Sequence, residues 1–232
     1  MLTYSDFLIN QAVCELRYPR GHMYWDKVGE IICMIEKELP DWKWQKLDEG
    51  KTFLKNEKLG LEAFFSWERI WIKQLRVENM HQLKVNCDLL YKIISSKLGI
   101  EELSRIGARI WHVLPTESVQ KADNTISKGK IFNADLEKQK IFGEKILARD
   151  YVLIVEDEDG FKIRVSVAGV DRKPEPILDK DEKFLKFNPY TGVLVDADFY
   201  RLASISTKDF VPSVFIQKAS KKLENNLVKL FQ

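Results

Sequence analysis

Along residues 104–112, Ser-Arg-Ile-Gly-Ala-Arg-Ile-Trp-His, apolar and polar positions alternate with a period of two. Read as a strand, this puts Ile106, Ala108, Ile110 and His112 on one face and Arg105, Gly107, Arg109 and Trp111 on the other. The first face suits a core. The second carries two guanidiniums beside a glycine and an indole. Residues 12–18 alternate in the same way, with Ala12, Cys14, Leu16 and Tyr18 opposite Val13, Glu15 and Arg17, until Pro19 and Gly21 stop the run. Between these two strands the period changes. Trp25, Val28, Ile31, Ile32, Ile35 and Leu39 recur at helical spacing, which predicts an amphipathic helix over 24–39 ended by Pro40. Trp42 and Trp44 alternate with Lys43 and Gln45 in a short strand-like piece, and 48–51 reads as a turn. Residues 59–77 are strand-forming and lack a helical period, so they read as two antiparallel strands with a tip at Ser66-Trp67-Glu68-Arg69. Helical spacing returns from Leu83 to Leu98, and Gly99 stands where a C-cap belongs.

The second half is a looser echo of the first. Residues 116–129 are polar and irregular and read as a connector. Leu136, Ile141, Ile146 and Leu147 predict a helix over 131–148. Two alternating strands, 151–157 and 161–168, meet at Glu158-Asp159-Gly160, a hairpin signal. A charged, proline-bearing loop over 173–186, a strand over 193–200 and a closing helix over 211–231 complete the chain. The predicted fold class is α+β: antiparallel sheet with helices packed on one face, in two βαβ-type halves duplicated in pattern and not in residues. The predicted organisation is an N-terminal half over 1–115, a connector over 116–129 and a C-terminal half over 130–232, closing into one compact unit.

Composition narrows the function. The 232 residues are 45% hydrophobic and 11% aromatic, which is ample for a core without staples. Lys and Arg number 37 against 35 Asp and Glu, so no global field draws the chain to nucleic acid or an anionic membrane, and any basic site is a local patch. Cys14, Cys33 and Cys87 are odd in number, widely spaced and set among apolar residues, so they read as buried free thiols of a reducing compartment. No stretch approaches the ~20 apolar residues of a membrane span, and the amino terminus lacks a secretory pattern. A cytoplasmic protein with no membrane contact is expected.

Catalytic signatures are missing. His22, His81 and His112 have no partners at zinc spacing, no Ser sits in a Gly-x-Ser-x-Gly elbow, and neither GxGxxG nor a Walker A pattern occurs. No catalytic residue, cofactor or metal is therefore assigned. Three strands instead carry charge on one side: Glu15 with Arg17, Arg105 with Arg109, and Asp196 with Asp198. These six are the candidate partner- or ligand-binding residues. The plainer alternative is a solvated face with cross-strand ion pairs of ~0–1 kcal/mol each. In either case, Arg105 and Arg109 are expected to be held by Asp196 and Asp198, or by Glu15, because a guanidinium fork matches a carboxylate bidentately. A rival enzyme reading has Asp196 and Asp198 ligating a divalent cation, with Glu15 or Glu62 as a further carboxylate, in a metal-dependent nuclease or hydrolase. A third reading takes Trp67, Arg69, Trp71 and Lys73 as a stacking platform for single-stranded nucleic acid.

Four motifs together resemble a sporadically distributed bacterial family of uncharacterised proteins of about this length, found in scattered genomes and often near mobile elements. They are Cys14-Glu15-Leu16-Arg17-Tyr18, Arg105-Ile106-Gly107-Ala108-Arg109, Val195-Asp196-Ala197-Asp198 and the terminal Leu227 to Phe231. After the central strand this chain has Ile110, Trp111 and His112, where the family shows an aromatic residue and then Asn. The resemblance implies an α+β fold and brings no activity. The combined expectation is a non-catalytic binding or adaptor protein of the bacterial cytoplasm, accessory to a mobile-element or phage-defence locus. Its partner is expected to be a protein, a second copy included, with nucleic acid as the alternative.

Overall fold

The computed structural model describes residues 2–19, 21–48, 50–129, 149–172, 190–208 and 210–232. The helix expected over 131–148 and the loop expected over 173–186 lie outside the described residues. The described strands are β1 (Leu8–Arg17), β2 (Lys43–Asp48), β3 (Lys51–Asn56), β4 (Leu61–Ser66), β5 (Arg69–Leu75), β6 (Glu102–Pro115), β7 (Asp150–Glu156), β8 (Lys162–Arg172) and β9 (Tyr190–Ser206). They form one antiparallel sheet in the order β2-β3-β4-β5-β1-β6-β9-β8-β7. The described helices are α1 (Tyr24–Glu38), α2 (Met80–Leu98), α3 (Val119–Lys128) and α4 (Pro212–Asn226), with 3₁₀ turns at Tyr4–Asp6 and Val228–Phe231.

The order contains a repeat of topology. β1 and β6 pair at the centre. From each, the chain leaves through a helix, α1 or α3, reaches an outer edge, builds strands back inward and ends in a helix, α2 or α4. Among the described residues the first half has one strand more than the second.

Alternation decides which side is covered. Ala12, Cys14 and Leu16 of β1, Ile106, Ala108 and Ile110 of β6, and Ala197 and Phe199 of β9 are buried with Ile31 and Ile35 of α1, Leu83, Cys87, Leu90 and Ile94 of α2, and Phe215 and Ile216 of α4. Ala122 and Ile126 of α3 join Val167, Val193 and Val195 in a second cluster on the same side. Helices therefore cover one sheet face, as the pattern predicts, and among the described residues none covers the other. Antiparallel sheet tolerates this because each strand can be apolar on one side and polar on the other. Burying this much apolar surface is the main favourable term of folding.

Three expectations are corrected. β3 is a strand that the apolar pattern does not predict, because its inward positions are Thr52, Leu54 and Asn56, two of them polar. They are satisfied inside: the Thr52 and Tyr24 hydroxyls lie 2.7 Å apart, and the Asn56 side-chain oxygen accepts from the Leu59 N–H at 3.1 Å. The stretch expected to be an irregular connector carries α3, whose buried positions are Ala122, Asp123 and Ile126. Asp123 hides the period, since its carboxylate is buried in an ion pair with Arg149. Finally, Cys14 and Cys87 are buried but Cys33 is exposed on α1. Burial pushes the Cys87 thiol well up, with Cys14 hydrogen-bonded beside it, so Cys87 stays protonated.

Candidate binding face

The open face is built from the residues that alternate with the core. Cross-strand register puts Val13 beside Arg109, Glu15 beside Gly107 and Arg17 beside Arg105, then Trp111 beside Asp196 and Arg109 beside Asp198. All six residues singled out in the sequence therefore lie on this face. All six fall into two ion-paired groups that meet on β9.

Glu15 is the hub of the first group. Its carboxylate accepts from Arg17 Nε at 2.8 Å and Arg105 Nη1 at 2.6 Å, and Arg69 Nη1 lies 3.9 Å away. Arg105 uses its second arm on Asp198 Oδ2 at 3.2 Å. The second group is Arg109 with Asp196, whose carboxylate takes both Nε, at 2.7 Å, and Nη2 of the fork. The expectation that acids hold both arginines is met, with one refinement. Arg109 stands opposite Asp198 in the register, yet its guanidinium reaches diagonally to Asp196, and Asp198 is met diagonally by Arg105. Long side chains on strands reach such neighbours readily.

Protonation follows burial and pairing. Burial pushes the Asp198 carboxyl up, against the pull of Arg105 and Arg109. Hydrogen bonding to Asp196 pushes the Arg109 guanidinium up. The positions are also unequal in exposure: the Arg105 side chain is 17% exposed and that of Arg109 46%. Arg105 is thus an internal strut, whereas Arg109 stays accessible to a partner.

Gly107 explains the spacing of Arg105 and Arg109. A Cβ at 107 would lie 2.8 Å from Arg105 Nη1 and 3.2 Å from its Cζ, because the guanidinium lies flat over the glycine on its way to Glu15. Gly107→Ala should displace that group and cost about 1–2 kcal/mol, the scale of a disturbed charge-assisted pair. In an Arg105→Met background the same change should turn neutral or stabilising, since Ala is favoured over Gly in a strand interior by roughly 0.5–1 kcal/mol. Urea denaturation of the four proteins checks this, and an unchanged cost in the Met background would remove the guanidinium from the explanation.

Rings interleave with the charges. Arg105 lies 5.3 Å from the Tyr200 ring centroid, and Arg109 and Arg172 lie 5.4 and 4.8 Å from that of Trp111. On the other flank Arg69 sits over Phe64 at 5.2 Å and Lys73 over Trp71 at 5.6 Å, with Phe64 and Trp71 stacked. Lys73 also pairs with Glu62 at 2.6 Å. Of the proposed stacking platform, Arg69, Trp71 and Lys73 are on this face. Trp67 is in the β4–β5 turn, near Gly50 and Trp25. Sequence reasoning missed Arg164 and Arg172 of β8. Arg164 is opposite Asp198 and Arg172 opposite Tyr190 in the register, and neither has an ion pair among the described residues. The alternation of Lys162, Arg164 and Ser166 was the signal available for the first.

The carboxylates are committed to guanidiniums, Asp196 to Arg109 and Asp198 to Arg105. Among the described residues no three His, Cys, Asp or Glu side chains converge as cation ligands would. His112 is on the covered face. It is 1% exposed, its Nε2 is 2.9 Å from the Tyr4 hydroxyl, and its Nδ1 is buried without a partner among the described residues. Among the described residues no helix is long and apolar enough to cross a membrane.

The fold and face define an α+β protein with a nine-stranded antiparallel sheet covered by helices on one side. No family model matches the chain, and no curated protein matches it. Among solved structures, one described as Methanococcus jannaschii TBP aligns over 96% of this chain and 98% of that one, at 9% identity and a TM-score of 0.31. A likeness that weak carries no argument about function.

Proposed function

We propose that this protein is a non-catalytic binding module, an adaptor of the bacterial cytoplasm, and that its open sheet face seats a partner protein that presents carboxylates. The observation that carries this reading is the uncovered face itself, where arginines and aromatic rings alternate across β5, β1, β6, β9 and β8. Arg, Trp and Tyr are enriched among the residues that dominate the energetics of protein interfaces. Mixed charge favours protein over nucleic acid as the partner. A phosphate backbone laid across the centre would meet Glu15, Asp196 and Asp198, whereas a protein can offer acids to Arg164, Arg172 and the exposed half of Arg109 and bases elsewhere. Membership of the sporadically distributed family, proposed on the Arg105 to Arg109, Asp196–Asp198 and Glu15–Arg17 motifs, supports a mobile-element or phage-defence locus. The genes next door would test that part directly.

The experiment is retention of a partner from native extract by the wild type and by Arg164→Glu/Arg172→Glu, with nuclease treatment as a second arm. The double variant should stay folded and lose the partner, because neither arginine has an ion pair among the described residues. Equal retention by both proteins would remove the face from the reading. Loss on nuclease digestion would transfer it to nucleic acid, for which the Phe64–Trp71 stack with Arg69 and Lys73 is the specific observation. The metal-dependent nuclease reading requires Asp196 to leave Arg109. Mg²⁺- or Mn²⁺-dependent cleavage lost in Asp196→Ala would establish it against the adaptor.

A further inference from the structure

We infer that a cavity of about 840 Å³ at one end of the sheet is a binding site for a small monoanion with an apolar body, a carboxylate on a hydrocarbon or aromatic frame. The cavity opens where β1 begins and β6 ends, beside the link from β5 to α2 and the start of β9. Phe7, Leu8, Ile9, Val77 and Val113 give it apolar walls, and its size is that of a site enclosing a ligand of drug-like dimensions. Three observations make it more than a gap between strands.

The first is Arg76. It lines the cavity with φ +52°, and among the described residues it is the one non-glycine residue in left-handed backbone. A long side chain gains nothing locally from that conformation, which Gly, Asn or Asp adopt far more cheaply. Such outliers persist when the surroundings over-determine them, and they gather at ligand clamps. Here the N–H groups of Arg76 and Val77 are tied to the carbonyls of Asn10 and Ile9 at 2.9 and 3.0 Å.

The second observation is charge. Arg76 has no ion pair among the described residues and is exposed at the cavity. A guanidinium over apolar walls is complementary to an anionic head on an apolar body. Glu78 also lines the cavity, and its carboxylate disfavours a second negative charge, so a carboxylate suits the site better than a phosphate. The third is a register shift in β1 between Ile9 and Gln11, which leaves Asn10 out of the β1–β6 pairing at the cavity wall. Bulges of this kind are concentrated at sheet rims and beside sites, where they re-aim side chains.

Octanoate and octan-1-ol, titrated by calorimetry into the full chain, test the assignment. Octanoate should bind saturably at one equivalent and at least tenfold more tightly than the alcohol. Arg76→Gly removes the guanidinium and relieves the left-handed backbone at once, so it should raise the melting temperature while weakening octanoate about tenfold. Arg76→Lys should retain most of the affinity, and Glu78→Gln should strengthen it about twofold. Three results would each overturn the inference: no saturable octanoate binding, equal binding of acid and alcohol, or affinity unchanged in a folded Arg76→Gly protein. Arg164 does not line this cavity, and Arg164→Glu on the open face should leave octanoate binding as it was.

Discussion

Arg105→Met should destabilise the protein by about 2–4 kcal/mol, more than any other single change on the open face. Breaking a buried ion pair by removing one partner costs roughly 3–5 kcal/mol, and partial solvation lowers that here. The side chains of Arg105, Glu15 and Asp198 are 17, 20 and 22% exposed, so water screens them only in part. The loss is unequal for the two acids. Glu15 keeps Arg17 and has Arg69 nearby, whereas Asp198 loses its ion-pair partner. Asp198→Asn should therefore be mildly destabilising in the wild type and neutral or stabilising in the Arg105→Met background. That is a coupling of about 1–3 kcal/mol, normal for residues in one network. The cycle between Arg109→Met and Asp198→Leu should give a much smaller coupling, despite their direct opposition in the register, because the Arg109 fork is spent on Asp196. Equal couplings in the two cycles, read from urea midpoints, would mean that register and not diagonal reach sets the pairing.

Acidification from pH 7 to 5 should cost about 2 kcal/mol through His112 alone. Burial pushes this imidazole down from 6.5 to about 4, because desolvation penalises its charged form. Between those values the unfolded chain binds the proton and the folded protein does not, so protons favour unfolding. The contribution is fully present above about pH 6.5 and is lost as the pH falls toward 4. At about 1.4 kcal/mol for each pH unit, the whole window amounts to about 3 kcal/mol. For a protein of this size, about 2 kcal/mol corresponds to a melting temperature lower by roughly 4–8 °C. Other groups titrate nearby: Asp198, raised by burial, acts in the opposite sense, and Glu30 is held down to about 2 by hydrogen bonds from Lys97 and Lys27. Comparison with His112→Gln cancels both. The variant should melt at a more nearly constant temperature between pH 7 and 5, and parallel curves would show that His112 does not carry the effect.

How legible the site was depended on which forces act within one strand and which act between strands. Periods of two and 3.6 are local properties of the backbone, so the apolar faces of 12–18, 24–39, 83–98, 104–112 and 193–200 could be read directly, and with them the α+β class. The same alternation assigned Glu15, Arg17, Arg105, Arg109, Asp196 and Asp198 to the polar sides of their strands. Where a core position is polar the signal failed, as at Thr52 and Asn56 in β3 and Asp123 in α3: Thr52 and Asp123 take their partners Tyr24 and Arg149 from other segments, and Asn56 turns its side chain to the Leu59 N–H in the turn after β3. Tertiary structure alone decided that β1 and β6 meet at the centre, which lets a single carboxylate, Glu15, serve arginines from β1 and β6 with a third from β5 nearby. It also decided that Arg109 turns to Asp196, that Arg172 arrives over Trp111 from a strand two places away, and that Arg76 is held in left-handed backbone by Asn10 and Ile9. A sequence records how each strand divides its faces. Which strands become neighbours, and in what register, depends on closing contacts between segments many tens of residues apart, and no local period encodes that.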